Sequence, residues 1–104
     1  MAAAAEVVKV FTEIENARMM KAFFDELFTP AELQDVALRW RLMTLLHKGV
    51  PQRQIASDLG ISLCKITRGA KIIKNRRSAT RKLLDRRFGE CHAKLREQIS
   101  GTDT

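Results

Sequence analysis

Residues 52–74, "QRQIASDLGISLCKITRGAKIIK", set Arg53, Lys65, Arg68, Lys71 and Lys74 against a single acid, Asp58. Lys and Arg only donate hydrogen bonds, so cations at this density suit acceptor-rich partners such as phosphates and the guanine edge. Other chemistries lack their residues. Cys64 and Cys91 do not stand at metal-ligand spacing, and with His47 and His92 they make no convincing zinc set. They read as reduced thiols, which fits a cytoplasmic location. No acidic triad, nucleophile–base pair or metal cluster is visible, so an enzymatic role is not expected.

The elements that must hold these cations follow from the same stretch. Ile55 and Leu59 are the inward residues of a first short helix, and Ala56 is small where a second helix crosses it. Gly60 falls where the turn needs positive φ, Ile61 plugs the corner, and Ser62 caps the second helix. Ile66, Gly69 and Ile73 then face inward. Apolar, small, apolar, Gly, apolar, Ser, apolar at this spacing is a helix-turn-helix over residues 52–74. Its second helix turns Cys64, Lys65, Arg68, Lys71 and Ile72 outward, a face suited to the major groove. With Ser62, Leu63 and Thr67 at its start and Lys74 at its end, this is the expected DNA-reading surface. Gln52 and Arg53 open the first helix and are placed for the DNA backbone.

Every other periodic stretch also reads helical, and no strand alternation or internal repeat appears. Val7, Phe11 and Ile14 mark one helix stripe, after an alanine run read as a frayed end. Met19, Met20, Phe23, Phe24, Leu27 and Phe28 mark a second, wide stripe. Thr29 then caps a helix opened by Pro30 and closed at Gly49. That helix carries Leu33, Val36, Ala37, Trp40, Met43, Thr44 and His47 on one side. Leu38, Leu42 and Leu45 lie on the other, and Trp40 is expected in the core. A helix apolar on two sides must be packed on two sides. A chain of 104 residues offers too little surface of its own to do that, so a two-fold homodimer is expected. A last helix, about 78–99, starts at the cap Ser78 and carries Leu83, Leu84, Phe88 and Leu95, followed by the loose tail "SGTDT". The expected organisation is a single helical DNA-binding domain over residues 1–104.

Charge is lopsided. Residues 1–40 hold Glu6, Glu13, Glu15, Asp25, Glu26, Glu32 and Asp35 against Lys9, Arg18, Lys21 and Arg39. Residues 65–96 hold twelve bases against Asp85 and Glu90, within a formal net charge of +7. A polyanion on the basic side is the natural partner. No apolar run approaches the roughly 18 residues of a membrane span, and the basic stretch lacks a broad aromatic face to insert in a lipid surface.

"LFTPAEL", "RWRLMTLLHKG", "QRQIASDLG" and "ITRGAKIIK", in this order between about Met20 and Lys74, resemble the tryptophan operon repressor family. The resemblance covers roughly half of the chain, with "ITRG" its most specific piece. It implies an all-α fold of about six helices, an intertwined homodimer, and DNA-reading heads set by L-tryptophan as corepressor, with no other cofactor. By resemblance, Arg39 and Arg68 sandwich the indole, a sound use of guanidinium planes. Thr29 stands near the ligand carboxylate, and backbone carbonyls around Phe28 face its ammonium. Gly69 lets the ring approach the helix. Ile72 occupies the place of the family's serine near the ammonium, and Lys65 the place of a threonine used at the operator. The turn before Gln52 is one residue shorter and contains Pro51, and the last helix is more basic than the family's.

The expected function is a sequence-specific repressor that L-tryptophan activates to bind operators of tryptophan biosynthesis or transport genes. The nearest alternative is a regulator of the same fold that ignores tryptophan or senses another molecule. Ordinary explanations accompany each residue: Arg39 stands four after Asp35, Thr29 is a cap, and Arg68 serves DNA alone. A nucleoid-type structural binder is a further alternative that the basic last helix would suit.

Overall fold

Caps decide where the helices start. The structure, a computed structural model, describes residues 2–89, and they form six helices and no strand. They are α1 (Ala2–Glu13), α2 (Ala17–Leu27), α3 (Pro30–His47), α4 (Gln52–Leu59), α5 (Leu63–Lys74) and α6 (Ala79–Phe88). The fold is all-α. Asn16 caps α2 by accepting the Met19 N–H at 2.8 Å. Thr29 and Glu32 form a reciprocal box at the head of α3. The Thr29 hydroxyl accepts the Glu32 N–H at 3.2 Å, and the Glu32 carboxylate accepts the Thr29 N–H at 2.9 Å. Ser62 and Ser78 cap α5 and α6 through the N–H groups of Lys65 (3.4 Å) and Arg81 (3.1 Å).

Two glycines end helices as expected. At Gly49 (φ 84°) the Val50 N–H reaches back to the Leu45 carbonyl at 3.0 Å and closes α3. At Gly60 (φ 63°) the Ile61 N–H reaches the Ala56 carbonyl at 3.3 Å and closes α4. Both are the six-to-one bond of a left-handed helix stop, which a side chain would strain.

The chain divides into two compact units, one up to Val36 and one from Ala37 onward. In the first, Phe11 meets Phe23 and Phe24 with ring centroids 5.5 Å apart, and Phe24 meets Phe28 at 5.3 Å. Yet no described residue of this unit is buried. Val8, Met19, Leu27 and Val36 remain 41 to 61% exposed.

The second unit has a true core. Leu42, Ile55 and Ile66 form its centre, with Leu45, Leu46, Val50, Ala56, Leu59 and Ile61 packed around them. Ile55, Ile66 and Leu84 are fully buried, and Ala70 and Ile73 nearly so. Here α4 packs on α5, and α5 packs on α6.

One apolar expectation needs correcting. Trp40, expected in the core, is 39% exposed, on a face of α3 that the described core of its unit does not cover. On α6, Leu84 is fully buried, while Leu83 (51%) and Phe88 (39%) are exposed. The expected last helix, about 78–99, is described as far as Phe88, where Gly89 follows with φ 82°. Leu95, Cys91, His92 and the "SGTDT" tail lie outside the described residues.

Candidate nucleic-acid interface and effector site

Position on α5 divides its residues into two sets. Ile66, Gly69, Ala70 and Ile73 are buried. Leu63, Cys64, Lys65, Thr67, Arg68, Lys71 and Lys74 are all exposed, as is the capping Ser62. The outward residues expected of α5 are therefore presented to solvent on a helix fixed from behind, except Ile72, expected outward but half-buried. Ile55 of α4 and Ile66 of α5, both without exposed surface, are the pins of the corner. Two outward polar groups, the capping Ser62 and Thr67, are partly engaged. The Thr67 hydroxyl donates to the Leu63 carbonyl at 2.9 Å, which leaves its oxygen able to accept. Cys64 is a free, exposed thiol.

At the head of α4, Pro51 supplies no side-chain cap. The first N–H groups of that helix are thus available to a phosphate, beside the exposed Arg53 and the half-buried Gln52. Among the described residues no cation of α4 or α5 pairs with a carboxylate, since the ion pairs there are Lys21–Asp25 and His47–Asp85. Such a face attracts anions from solvent.

At Gly69, α5 sits against side chains of α3. A Cβ at this position would stand 3.1 Å from Leu46 Cδ1, 3.4 Å from Leu42 Cδ2 and 3.5 Å from Met43 Sδ. Residues 42, 43 and 46 are one face of α3, and Arg39 continues that face one turn toward the N-terminus, completing the i, i+3, i+4, i+7 set. Arg68 adjoins Gly69 on α5, and the half-buried Ile72 lies one turn after Arg68. Arg39 and Arg68 are both exposed. The pair of Arg39 with a carboxylate one turn away is not formed among the described residues. Both guanidiniums thus remain open to a flat ligand.

Phe28 and Thr29 belong to the first unit. Phe28 ends α2 in extended conformation (φ −107°, ψ 148°), half-buried against Phe24. The Thr29 hydroxyl accepts a bond in the capping box, and its own proton remains available to a carboxylate.

One tie has no counterpart in the sequence pattern. His47, fully buried at the end of α3, stands with Nε2 3.1 Å from Asp85 Oδ1 on α6. Its ring lies 6.3 Å from that of Phe88, over which the Lys48 ammonium sits at 5.5 Å. This tie joins α6 to the end of α3. The only local signal for it is a histidine one turn after Thr44 on an apolar face. Among the described residues no cluster of His, Cys, Asp or Glu could hold a metal. No described helix is long and apolar enough to cross a membrane.

Known proteins place the chain. The family model described as Trp repressor protein matches residues 3–88. A protein of Xylella fastidiosa (strain M23) named "Trp operon repressor homolog" is 35% identical over 65 residues, 62% of this chain and 71% of that protein. One of the same name from Pasteurella multocida (strain Pm70) is 47% identical over 49 residues, 46% of this chain and 48% of that protein. A third, from Chlamydia trachomatis serovar D, is 30% identical over 64 residues, 61% and 68% of the two chains. No solved structure matches the chain.

Proposed function

The chain belongs to the Trp repressor family, and from that membership we propose that it is a DNA-binding transcriptional repressor whose grip on its operator is strengthened by L-tryptophan. One observation carries the proposal. Lys65, Arg68, Lys71 and Lys74 of α5 are all exposed, and the inward face of the helix packs on α4 at Ile66 and on side chains of α3 at Gly69. A cationic helix held rigidly from behind can enter a groove without rearranging. Phosphate contacts supply affinity, and contacts to base edges supply choice.

That division gives the test. Lys74→Ala removes a cation at the end of α5 and is expected to weaken all duplexes about equally. Removing a cation that neutralises one phosphate lowers the log–log salt slope by about 0.9. Lys65→Ala, in the first turn of α5, is expected to change which sequence is preferred, at about 1–3 kcal/mol per misread base pair. Selection from a random duplex pool, followed by salt titrations of the chosen sequence, separates the two. Identical profiles and losses for both variants would rule out a reading face on α5.

We also infer a homodimer, because a unit whose described residues are all at least partly exposed cannot hold its helices by its own packing. Val8, Met19, Leu27 and Val36 need a cover, and a second copy is the commonest one. The unfolding midpoint is then expected to rise with protein concentration. Sedimentation of a folded monomer at micromolar concentration would contradict it.

A further inference from the structure

The α5–α6 corner and the outer side of α6 hold six exposed cations: Lys74, Arg76, Arg77, Lys82, Arg86 and Arg87. None pairs with a carboxylate among the described residues. The one acid of α6, Asp85, stands with Oδ1 3.1 Å from Nε2 of the buried His47. Like charges so close repel one another in the folded chain, a cost that a polyanion against them would remove.

The corner is also built to hold its shape. The Asn75 side chain accepts the Arg77 N–H at 2.9 Å, and the Asn75 carbonyl accepts the Ser78 N–H at 3.0 Å. The Arg81 guanidinium reaches the Lys74 carbonyl at 3.5 Å, joining the end of α5 to the start of α6. Arg76 and Arg77 are thus carried on a bonded turn between two packed helices. On α6, Lys82 and Arg86 are one turn apart, about 6 Å along the axis, close to the spacing of neighbouring phosphates on one strand.

We propose that this corner and the outer side of α6 form a second, sequence-independent contact with the duplex backbone, beyond the groove entered by α5. The inference rests on the DNA-binding reading above and extends it. Three features select duplex phosphate as the occupant. Along the chain the cations follow directly from the reading face of α5, Lys71 and Lys74 leading to Arg76 and Arg77, within one compact unit. Four of the six are arginines, whose planar fork matches phosphate oxygens two at a time. Leu83 and Phe88 are the exposed large apolar side chains of α6, too few for insertion in a lipid surface.

The test compares the parent chain with an α6-side variant and a reading-face variant. The first carries Arg76→Gln, Arg77→Gln, Lys82→Gln, Arg86→Gln and Arg87→Gln; the second carries Lys65→Ala and Lys71→Ala. Helix content and thermal midpoint are first confirmed to match the parent's. Binding is then measured against salt on a random-sequence duplex of about three helical turns, and sequence preference by selection from a random pool. The α6-side variant is expected to lose about 3 or more from the salt slope and at least about tenfold in affinity, with the same preferred sequence. An unchanged slope in that variant, with the reading-face variant weakened, would overturn this inference alone. A changed preferred sequence would overturn its sequence independence. A parent that binds no duplex, or a reading-face variant that binds like the parent, would overturn the DNA-binding reading itself. Parent binding to anionic phospholipid vesicles in place of duplex would assign the surface to lipid and overturn the inference.

Discussion

Operator affinity is expected to rise about 5- to 150-fold on addition of L-tryptophan, a coupling of about 1–3 kcal/mol, and the rise is expected to vanish in Arg39→Ala. A ligand shifts an equilibrium only by what it gains in one state over the other. Arg39 stands on α3, one turn beyond the point where Gly69 meets Leu42, Met43 and Leu46, and Arg68 adjoins that point on α5. A ring stacked between the two guanidiniums contacts a fixed helix on one side and the reading helix on the other. Its binding energy therefore depends on the pose of α5. Linkage requires operator DNA to tighten tryptophan by the same factor. Arg39 is exposed and unpaired with any described carboxylate, so its removal should leave folding unchanged. Ile72, half-buried one turn after Arg68, presents no hydroxyl to the ligand ammonium. Ile72→Ser is expected to tighten tryptophan by about 1 kcal/mol, the net worth of one neutral hydrogen bond. The measurement is operator binding with and without the ligand, alongside calorimetric titration of tryptophan. No response at millimolar tryptophan, with the protein folded, would leave a regulator of this family that works without it.

Ile66→Ala is the substitution expected to cost most in stability, about 2–5 kcal/mol. Ile66 has no exposed surface and packs with Leu42 and Ile55, so it joins α3, α4 and α5 in one cluster. Removing its outer carbons opens a cavity in a core with few other buried side chains. Small proteins hold only about 5–15 kcal/mol in total, so the loss is a large share. The midpoint of thermal unfolding, compared at one protein concentration, should fall by roughly 10 °C or more. Ile55→Ala should behave alike, and the two losses should not add, because the side chains share one cavity. A loss below about 1 kcal/mol would show that the corner is not the core that holds α5.

Helix ends are legible in the sequence because caps are local chemistry. Thr29 before Pro30, Ser62 and Ser78 each satisfy an N–H three residues on, and Gly49 and Gly60 relieve a left-handed backbone; every partner lies within five or six residues. The inward set of α5 is equally legible, since Ile66, Gly69 and Ile73 follow one helical stripe. What escapes a sequence reading needs distant partners. His47 and Asp85 are 38 positions apart, and nothing local marks them as a pair. The face of α3 that meets Gly69 draws Leu42 from one expected stripe, Met43 from the other and Leu46 from neither. With apolar residues nearly all round that helix, periodicity cannot say which of them α5 will choose. Trp40 looks like core by residue type, yet it is 39% exposed.

The close seat of Gly69 has a mechanical consequence. With Leu46 Cδ1 only 3.1 Å from where a Cβ would stand, α5 is seated at Gly69 directly on side chains of α3, with no room for a methyl group unless Leu46 gives way. A tilt of α5 about that seat would make it a fulcrum. Lys65 is four residues along the helix, a lever arm of about 6 Å, so a tilt of about 10° moves its backbone about 1 Å. Arg68 adjoins the pivot and hardly moves. A ligand wedged at Arg68 would then act with high leverage: a small displacement near the fulcrum would become a larger one at the tip proposed to meet the bases.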